Sequence, residues 1–208
     1  MTPIYMQVYA VFSENFSSNS YVLTCDDKTA VVIDPSEEAI EFIDRQGLSC
    51  RYALLTHGHF DHVGGCGVLC RRGTKILCGE REKDLIFSKE YLSIFGGVNV
   101  TDFKIAQTVK DGEILSLCGL EIKVYFTAGH TAGSVCYVCG SYIFSGDTLF
   151  KGSIGRTDLP TGDINELIES LKLLKALKGD FTVYCGHGEA TLLNTEIKYN
   201  PYMRNLDA

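Results

Sequence analysis

Thr56-His57-Gly58-His59-Phe60-Asp61-His62 is the stretch on which the reading of this chain turns. It gathers three imidazoles and a carboxylate directly after Tyr52-Ala53-Leu54-Leu55, an almost wholly apolar run that reads as a strand buried on both faces. The other two histidines stand in Gly129-His130-Thr131 and Gly186-His187-Gly188, and a second carboxylate in Ser145-Gly146-Asp147-Thr148. Imidazole is the commonest protein ligand for zinc-like metals, and such metals also accept carboxylate oxygen. His57, His59, Asp61, His62, His130, Asp147 and His187 form a set too large for one tetrahedral ion and suited to two.

Spacing supports that division. His57 and His59 are one residue apart, which on an extended or turning segment aims both rings to one side. Asp61 and His62 open a helix, so their side chains leave in another direction. Asp147 has two oxygens and can bridge. Two divalent cations sharing a water lower its pKa from about 15.7 toward neutrality, and they stabilise an oxyanion as it forms. No cysteine joins the cluster at structural-site spacing, which argues against a closed structural zinc.

Composition bounds the rest. At 208 residues and 45% apolar content the chain is one large domain with a real core. A formal net charge of −7 argues against nucleic acid, whose phosphates reward a basic surface. The start, Met1-Thr2-Pro3-Ile4-Tyr5, has no basic or apolar leader pattern, and no run approaches the roughly 18 apolar residues of a membrane span. The expectation is a cytoplasmic protein without a membrane partner; nothing in the sequence fixes its oligomeric state. Nine cysteines, an odd number, read as buried thiols in a reducing compartment. Cys136 and Cys139 lie on one predicted strand and so point to opposite faces.

Period-two runs predict strands over Met6–Phe12, Asn19–Cys25, Thr29–Ile33, Tyr52–Leu55, Val135–Cys139, Tyr142–Phe144 and Phe181–Cys185. Phe103–Val109, Glu113–Cys118 and Leu120–Phe126 read as antiparallel strands separated by turns at Asp111-Gly112 and Cys118-Gly119. A further turn is expected at Cys25-Asp26-Asp27-Lys28. Ser36 caps a helix over Glu37–Gln46 closed by Gly47, helical stretches follow near Asp61–Leu69 and Glu80–Ser88, and Asp163–Lys178 is the clearest amphipathic helix. Phe87, Tyr91, Leu92, Ile94 and Phe95 read as core packing or as a lid. Each of His57, His130, Asp147 and His187 comes just after a predicted strand, where sites are built on rigid scaffolds.

These residues and their spacing resemble the metallo-β-lactamase-fold hydrolase superfamily over nearly the whole chain. The resemblance implies an α/β (α+β) fold, a four-layer αββα sandwich, with residues 1–208 as a single domain and metals at one edge of the sheets. It implies that His57, His59 and His130 hold one metal, that Asp61, His62 and His187 hold a second, and that Asp147 bridges. Two zinc ions are expected, with iron or mixed zinc and iron open. Asp34, in Val31-Val32-Ile33-Asp34-Pro35, is similar to the family's aspartate that steadies the histidine loop from behind; as a residue it reads equally well as a helix-start carboxylate.

Gly146-Asp147-Thr148-Leu149-Phe150, Gly152-Ser153-Ile154-Gly155-Arg156-Thr157-Asp158 and Gly129-His130-Thr131-Ala132-Gly133-Ser134 are similar to the glyoxalase II group, closest to its short bacterial members, which lack the helical C-terminal extension. Zinc β-lactamases carry no aspartate at the bridging position, which sets β-lactam hydrolysis aside. The activity implied is hydrolysis of small-molecule S-acyl thiol thioesters, S-lactoylglutathione-like, by attack of a metal-bridging hydroxide on the thioester carbonyl, with Asp61 and Asp147 catalytic. Arg156 stands where the group has a lysine toward the glutathione glycyl carboxylate, and is a candidate substrate contact; its other reading is an ion pair with Asp158 or Asp163. Asp158 stands where the group has a tyrosine, and a carboxylate there repels an anionic thiol. Two alternatives stay open: a mononuclear iron persulfide dioxygenase using His57, His130 and Asp147, and a phosphodiesterase.

Overall fold

The computed structural model describes residues 6–24, 28–88 and 103–206. The turn at 25–27 and the aromatic residues Tyr91, Leu92, Ile94 and Phe95 lie outside them. Phe87 lies within, its ring 5.3 Å from that of Phe103.

The chain opens with an antiparallel hairpin, β1 (Gln7–Ser13) and β2 (Ser18–Thr24), and continues through β3 (Thr29–Ile33), α1 (Glu37–Arg45) and β4 (Ser49–Leu54). Two short helices, α2 (Phe60–Val63) and α3 (Cys66–Arg71), lead to β5 (Lys75–Gly79), α4 (Lys83–Ile86) and β6 (Ile105–Val109). These six strands form one sheet in chain order. The second half contributes β7 (Ile114–Leu117), β8 (Leu120–Phe126), β9 (Val135–Cys139) and β10 (Tyr142–Gly146), then a small hairpin, β11 (Leu149–Phe150) and β12 (Ser153–Ile154). It ends with α5 (Ile164–Lys175), β13 (Thr182–Cys185), β14 (Thr191–Leu192) and α6 (Leu193–Tyr199). The second sheet runs β14-β13-β10-β9-β8-β7.

Side-chain alternation turns these sheets into four layers. From the first sheet Tyr21, Leu23, Val31, Ile33, Leu54 and Leu77 face inward and meet Leu117, Ile122, Val124, Val135, Tyr137 and Phe144 of the second. Their chain neighbours Val22, Ala30, Val32, Ala53 and Ile76 face outward, against Ala39, Ile40 and Ile43 of α1 and Cys66 and Leu69 of α3. On the far side Cys136, Ile143, Val183 and Cys185 receive Leu171 and Leu174 of α5 and Leu193 of α6. The fold is therefore the expected αββα sandwich. Each fully buried Leu or Ile in these layers contributes about 1.5–3 kcal/mol.

Helix ends follow their capping residues. Ser36 Oγ accepts from Ala39 N–H at the start of α1, Glu37 and Glu38 sit in its first turn, and Gly47 takes φ +65° just beyond it. Asp163 caps α5 by accepting from the N–H groups of Asn165 and Glu166.

One strand goes beyond the sequence reading, and three expectations are corrected. Lys75–Gly79 is a strand between β4 and β6, parallel to both; its three buried apolar residues are too few to announce it. Phe103–Val109 is not an antiparallel partner of the strands that follow. Its strand, β6, pairs parallel with β5 in the first sheet, so Asp111-Gly112 is where the chain crosses to the second sheet. The helical stretch from Asp61 breaks at Gly64-Gly65, where Gly65 N–H donates to the Pro35 carbonyl at 2.7 Å and a Cβ would stand 2.9 Å from the Pro35 and Ser36 carbonyls. Of Glu80–Ser88 only Lys83–Ile86 is helical.

Every cysteine among the described residues is a free thiol, and Cys136 and Cys139 point into different layers. No helix among the described residues is long and apolar enough to cross a membrane.

The two sheets are stitched together beside the histidine stretch. Tyr137 is fully buried and donates its hydroxyl to the Leu55 carbonyl at 2.9 Å, and Val135 N–H donates to the Thr56 carbonyl at 2.8 Å. Replacing Tyr137 by Phe removes one such bond and is expected to cost about 1 kcal/mol, lowering Tm by about 2–4 °C. Urea unfolding checks this, and an unchanged midpoint would show that the bond adds nothing.

Candidate metal centre

Four connections meet at one edge of the two sheets. The loop from Leu55 to His59 joins β4 to α2, His130 lies between β8 and β9, Asp147 follows β10 and His187 follows β13. Ligand atoms of His57, His59 and His130 lie within 4.8 Å of one another, and so do those of Asp61, His62 and His187. His130 Nε2 is 2.9 Å from His59 Nδ1. In the second group His187 Nε2 stands 3.2 Å from Asp61 Oδ2 and 3.4 Å from His62 Nε2. Asp147 lies between the groups, with Oδ2 3.5 Å from both His130 Nε2 and His187 Nε2, and Oδ1 3.5 Å from His62 Nε2.

The outer ring nitrogens of His57, His62, His130 and His187 are fixed by hydrogen bonds. His130 Nδ1–H donates to the Arg156 carbonyl at 2.8 Å, and His187 Nδ1–H to the Ser17 carbonyl at 2.7 Å. His62 Nδ1–H donates to Asp34 Oδ2 at 3.0 Å. The Thr56 hydroxyl donates to the same carboxylate at 2.6 Å, so its oxygen is free to accept from His57 Nδ1–H at 3.1 Å. Thr56 N–H fills Asp34 Oδ1 at 2.8 Å. Asp34, His57 and His62 also lie close enough to hold an ion. Both Asp34 oxygens are already matched by donors, however, so what Asp34 does in the structure is hold the Thr56 and His62 side chains in place.

A metal pair fits this arrangement. Tethering Nδ1 turns Nε2 of His57, His62, His130 and His187 into the hollow. His57 Nε2 and Asp147 Oδ1 are buried there without a hydrogen-bond partner, an unfavourable state for polar atoms that a cation would relieve. Close packing holds the walls: a Cβ at Gly186 would fall on Asp147 Oδ1, so only glycine fits.

The groups differ in protonation. Burial, joined by repulsion from neighbouring imidazoles, pushes His57 well below its ordinary range and His59 down to about 3. Burial also lowers His130, against the opposing pull of Asp147. For His62, burial acts downward, but Asp147, Asp61 and Asp34 outweigh it and raise the imidazole to about 9. His187 likewise rises to about 11 against burial, through Asp147 and Asp61. Burial would raise both carboxylates; the imidazoles, His62 foremost, hold Asp61 and Asp147 below the usual range.

Arg156 is exposed and grips Asp158 by two bonds of 2.7 Å, so the structure places its guanidinium in an ion pair with that residue, not with Asp163. Three contributors have no signature in the sequence. Thr56 relays between His57 and Asp34. Asn19 ties the His187 loop by donating its side-chain N–H groups to the carbonyls of Cys185 and Gly188, at 3.0 and 2.9 Å. Glu82 is fully buried although it sits in the charged run Glu80-Arg81-Glu82-Lys83-Asp84, which looks like a solvated helix face. A cavity of about 220 Å³ opens against Asp61, lined also by Asn15, Phe16, Ser36 and Glu38.

Comparison with known proteins gives one family. Residues 14–187 match the model of the Metallo-beta-lactamase superfamily. The chain is 36% identical over 200 residues to hydroxyacylglutathione hydrolase GloC of Haemophilus influenzae, covering 91% of this chain and 94% of that one. It is 32% identical to hydroxyacylglutathione hydrolase of Citrobacter koseri over 88% of its own length, but spans only 65% of that relative. Among solved structures, the BLEG-1 B3 metallo-beta-lactamase superposes with a TM-score of 0.84 at 30% identity, over 95% of this chain and 99% of that one. TTHA1623 in a di-iron-bound form superposes with a TM-score of 0.80 at 30% identity, over 94% and 100%.

The Asp34 network yields a prediction for the metal-free protein. His62 has a folded pKa raised to about 9, so its pairing stabilises the fold fully below the unfolded value near 6.5 and is lost as pH rises through 9. Asp34→Ala is therefore expected to cost about 3–5 kcal/mol near pH 6, to cost less above pH 9, and to lower the His62 pKa. Denaturant unfolding against pH and imidazole NMR measure both; a pH-independent loss would remove the His62 pairing from the account.

Proposed function

This chain belongs to the metallo-beta-lactamase superfamily, and from that membership we propose that it is a hydrolase of S-acyl thiol thioesters acting with two divalent cations. The observation that carries the proposal is the pair of buried, unpartnered atoms, His57 Nε2 and Asp147 Oδ1, inside seven converging donors. The Haemophilus relative, named for hydroxyacylglutathione hydrolysis and nearly equal in length, supports the substrate class.

On this reading His57, His59 and His130 hold one cation, Asp61, His62 and His187 the other, and Asp147 reaches both. Zinc suits three nitrogen donors with an open fourth position, and iron or a mixed pair suits the same set. When bound, the pair supplies a nucleophile by lowering the pKa of a shared water from about 15.7 toward neutrality, and polarises the scissile carbonyl.

The chain's own residues do the rest. Asp61 and Asp147, both beside the His62 and His187 rings, stay ionised and accept a proton or orient the attacking water. Asp34 keeps His62, and through Thr56 also His57, in the tautomer that presents Nε2. The leaving group needs little protonation, because thiols ionise near about 8.5. The cavity beside Asp61 admits the substrate. Arg156 is the substrate-side cation, releasing Asp158 to take a substrate carboxylate as a bidentate fork.

A second reading, β-lactam hydrolysis, has the superposition on the B3 metallo-beta-lactamase in its favour. Asp147 between the two groups favours thioesters. Metal analysis beside assays on S-lactoylglutathione, simpler thioesters and a chromogenic cephalosporin tests both. The expected result is two metals per chain and thioester turnover that falls at least about 100-fold in His59→Ala. Cephalosporin turnover alone would favour the second reading. One iron per chain with oxygen uptake would point to sulfur oxidation instead.

The protonation states give a further prediction. The first group is neutral at pH 7, so its metal binds without proton release; the second must shed protons from His62 and His187, about two in all. Affinity of the second group should therefore climb with pH, most steeply up to about 9 and less steeply on to about 11, while that of the first stays flat. Calorimetry in buffers of different ionisation enthalpy measures the release. Equal release at both steps would contradict the assignment of ligands to groups.

A further inference from the structure

Glu82 closes β5 onto α4 and is fully buried, yet it is not one of the groups that meet at the metal centre. Its carboxylate joins the two loops that carry the first histidine group. Oε1 accepts from Gly58 N–H at 2.7 Å, between His57 and His59. Oε2 accepts from the Thr131 hydroxyl at 2.8 Å, beside His130. Thr131 is in turn held in a tight turn: its N–H donates to Ser134 Oγ at 3.1 Å, and the two hydroxyl oxygens are 2.7 Å apart. Backbone packing fixes the carboxylate in place. A Cβ at Gly133 would fall on the Glu82 backbone nitrogen and on Oε2, and one at Gly58 would strike the Ile86 side chain and stand 3.0 Å from Oε1.

One loop leaves the first sheet and the other leaves the second; the bonds from Tyr137 and Val135 join them at Leu55 and Thr56, and Glu82 joins them further along, beside His57, His59 and His130 themselves. A buried carboxylate is tolerated only where donors match its oxygens, and here one donor comes from each loop. We propose that Glu82 is a positioning residue that sets the distance between His59 and His130, and hence the affinity of the His57, His59 and His130 group for its cation. The proposal rests on the assignment of those three histidines to one cation made above.

Glu82→Ala removes both acceptors. Glu82→Gln keeps the tether, because its carbonyl oxygen still accepts from Gly58 N–H while its amide donates to Thr131 Oγ, whose proton turns to Ser134. The experiment is a cobalt(II) titration of the metal-free full chain, followed by absorption bands that separate the site with three imidazoles from the site with two. Thermal unfolding of each metal-free variant runs alongside. Wild type is expected to bind two ions. Glu82→Ala should lose about 10–100-fold in affinity at the first group with the second within about threefold, and Glu82→Gln should return to within about threefold of wild type. Unchanged affinity in Glu82→Ala, or equal loss at both groups, overturns the positioning role. A wild type that binds no cobalt overturns the ligand assignment itself. If Glu82→Ala does not fold, Thr131→Val removes the Oε2 tether together with the Thr131–Ser134 hydroxyl contact, and Ser134→Ala removes the second alone; about tenfold weaker binding at the first group in Thr131→Val but not in Ser134→Ala supports the proposal, and unchanged binding in Thr131→Val, or equal loss in both, overturns it.

Discussion

The Asp34 carboxylate lies beneath the histidine loop with every acceptor position answered. It takes the N–H and hydroxyl of Thr56 and the Nδ1–H of His62, and through the Thr56 oxygen it reaches His57. Its own backbone is in the left-handed region, φ +50°, a conformation that aspartate tolerates better than most residues. That kink stops β3 and turns the side chain under the neighbouring strand end, where Asp34 N–H still donates to the Leu54 carbonyl and Ser20 Oγ donates to the Asp34 carbonyl. An anion removed from water is unfavourable unless donors surround it. Here those donors are the residues whose other ends line the metal centre, so the condition that keeps Asp34 buried also aims the rings.

Much of this was legible in the chain itself. The histidine spacing, the apolar run before it and the glycines around His130 and His187 announced which side chains belong together, because ligand chemistry demands few residue types and strand ends present them. Period-two apolar runs and capped helices gave the elements, and the αββα layering was implied by the family resemblance that the motifs carry. Strand partnership was less legible. The strand at Lys75–Gly79 carries too few apolar residues to declare itself, and without it β6 had no partner in the first sheet and was given to the second. Glu82 was invisible for a different reason. Its neighbours Glu80 and Arg81 are exposed, and nothing in the local sequence distinguishes a carboxylate that bridges two sheets from one that faces water. Arg156 showed a third kind of ambiguity, since one guanidinium serves equally a substrate carboxylate and the carboxylate two residues on.

The two halves of the centre are electrically unlike. Three imidazoles meet with little compensating charge, and burial keeps them neutral. The other half sets two imidazoles among carboxylates, which hold protons on the rings. A cation would thus meet neutral rings in the first half at neutral pH, whereas in the second it would have to replace protons that already balance the charge. Asp147 touches both halves, so occupation of one alters the field felt by the other.

His187 has a particular place in the chain. Its ring is steadied by the carbonyl of Ser17, 170 residues earlier, and its loop is clasped by Asn19 through both backbone and side chain. The first hairpin's Ser17 leaves the ribosome 170 residues before His187 does. Contacts of such long sequence separation form late, so the growing polypeptide can complete the three-histidine half well before the second half exists. The meeting of His187 with Asp61 and His62 therefore coincides with docking of the last strand end on the first hairpin.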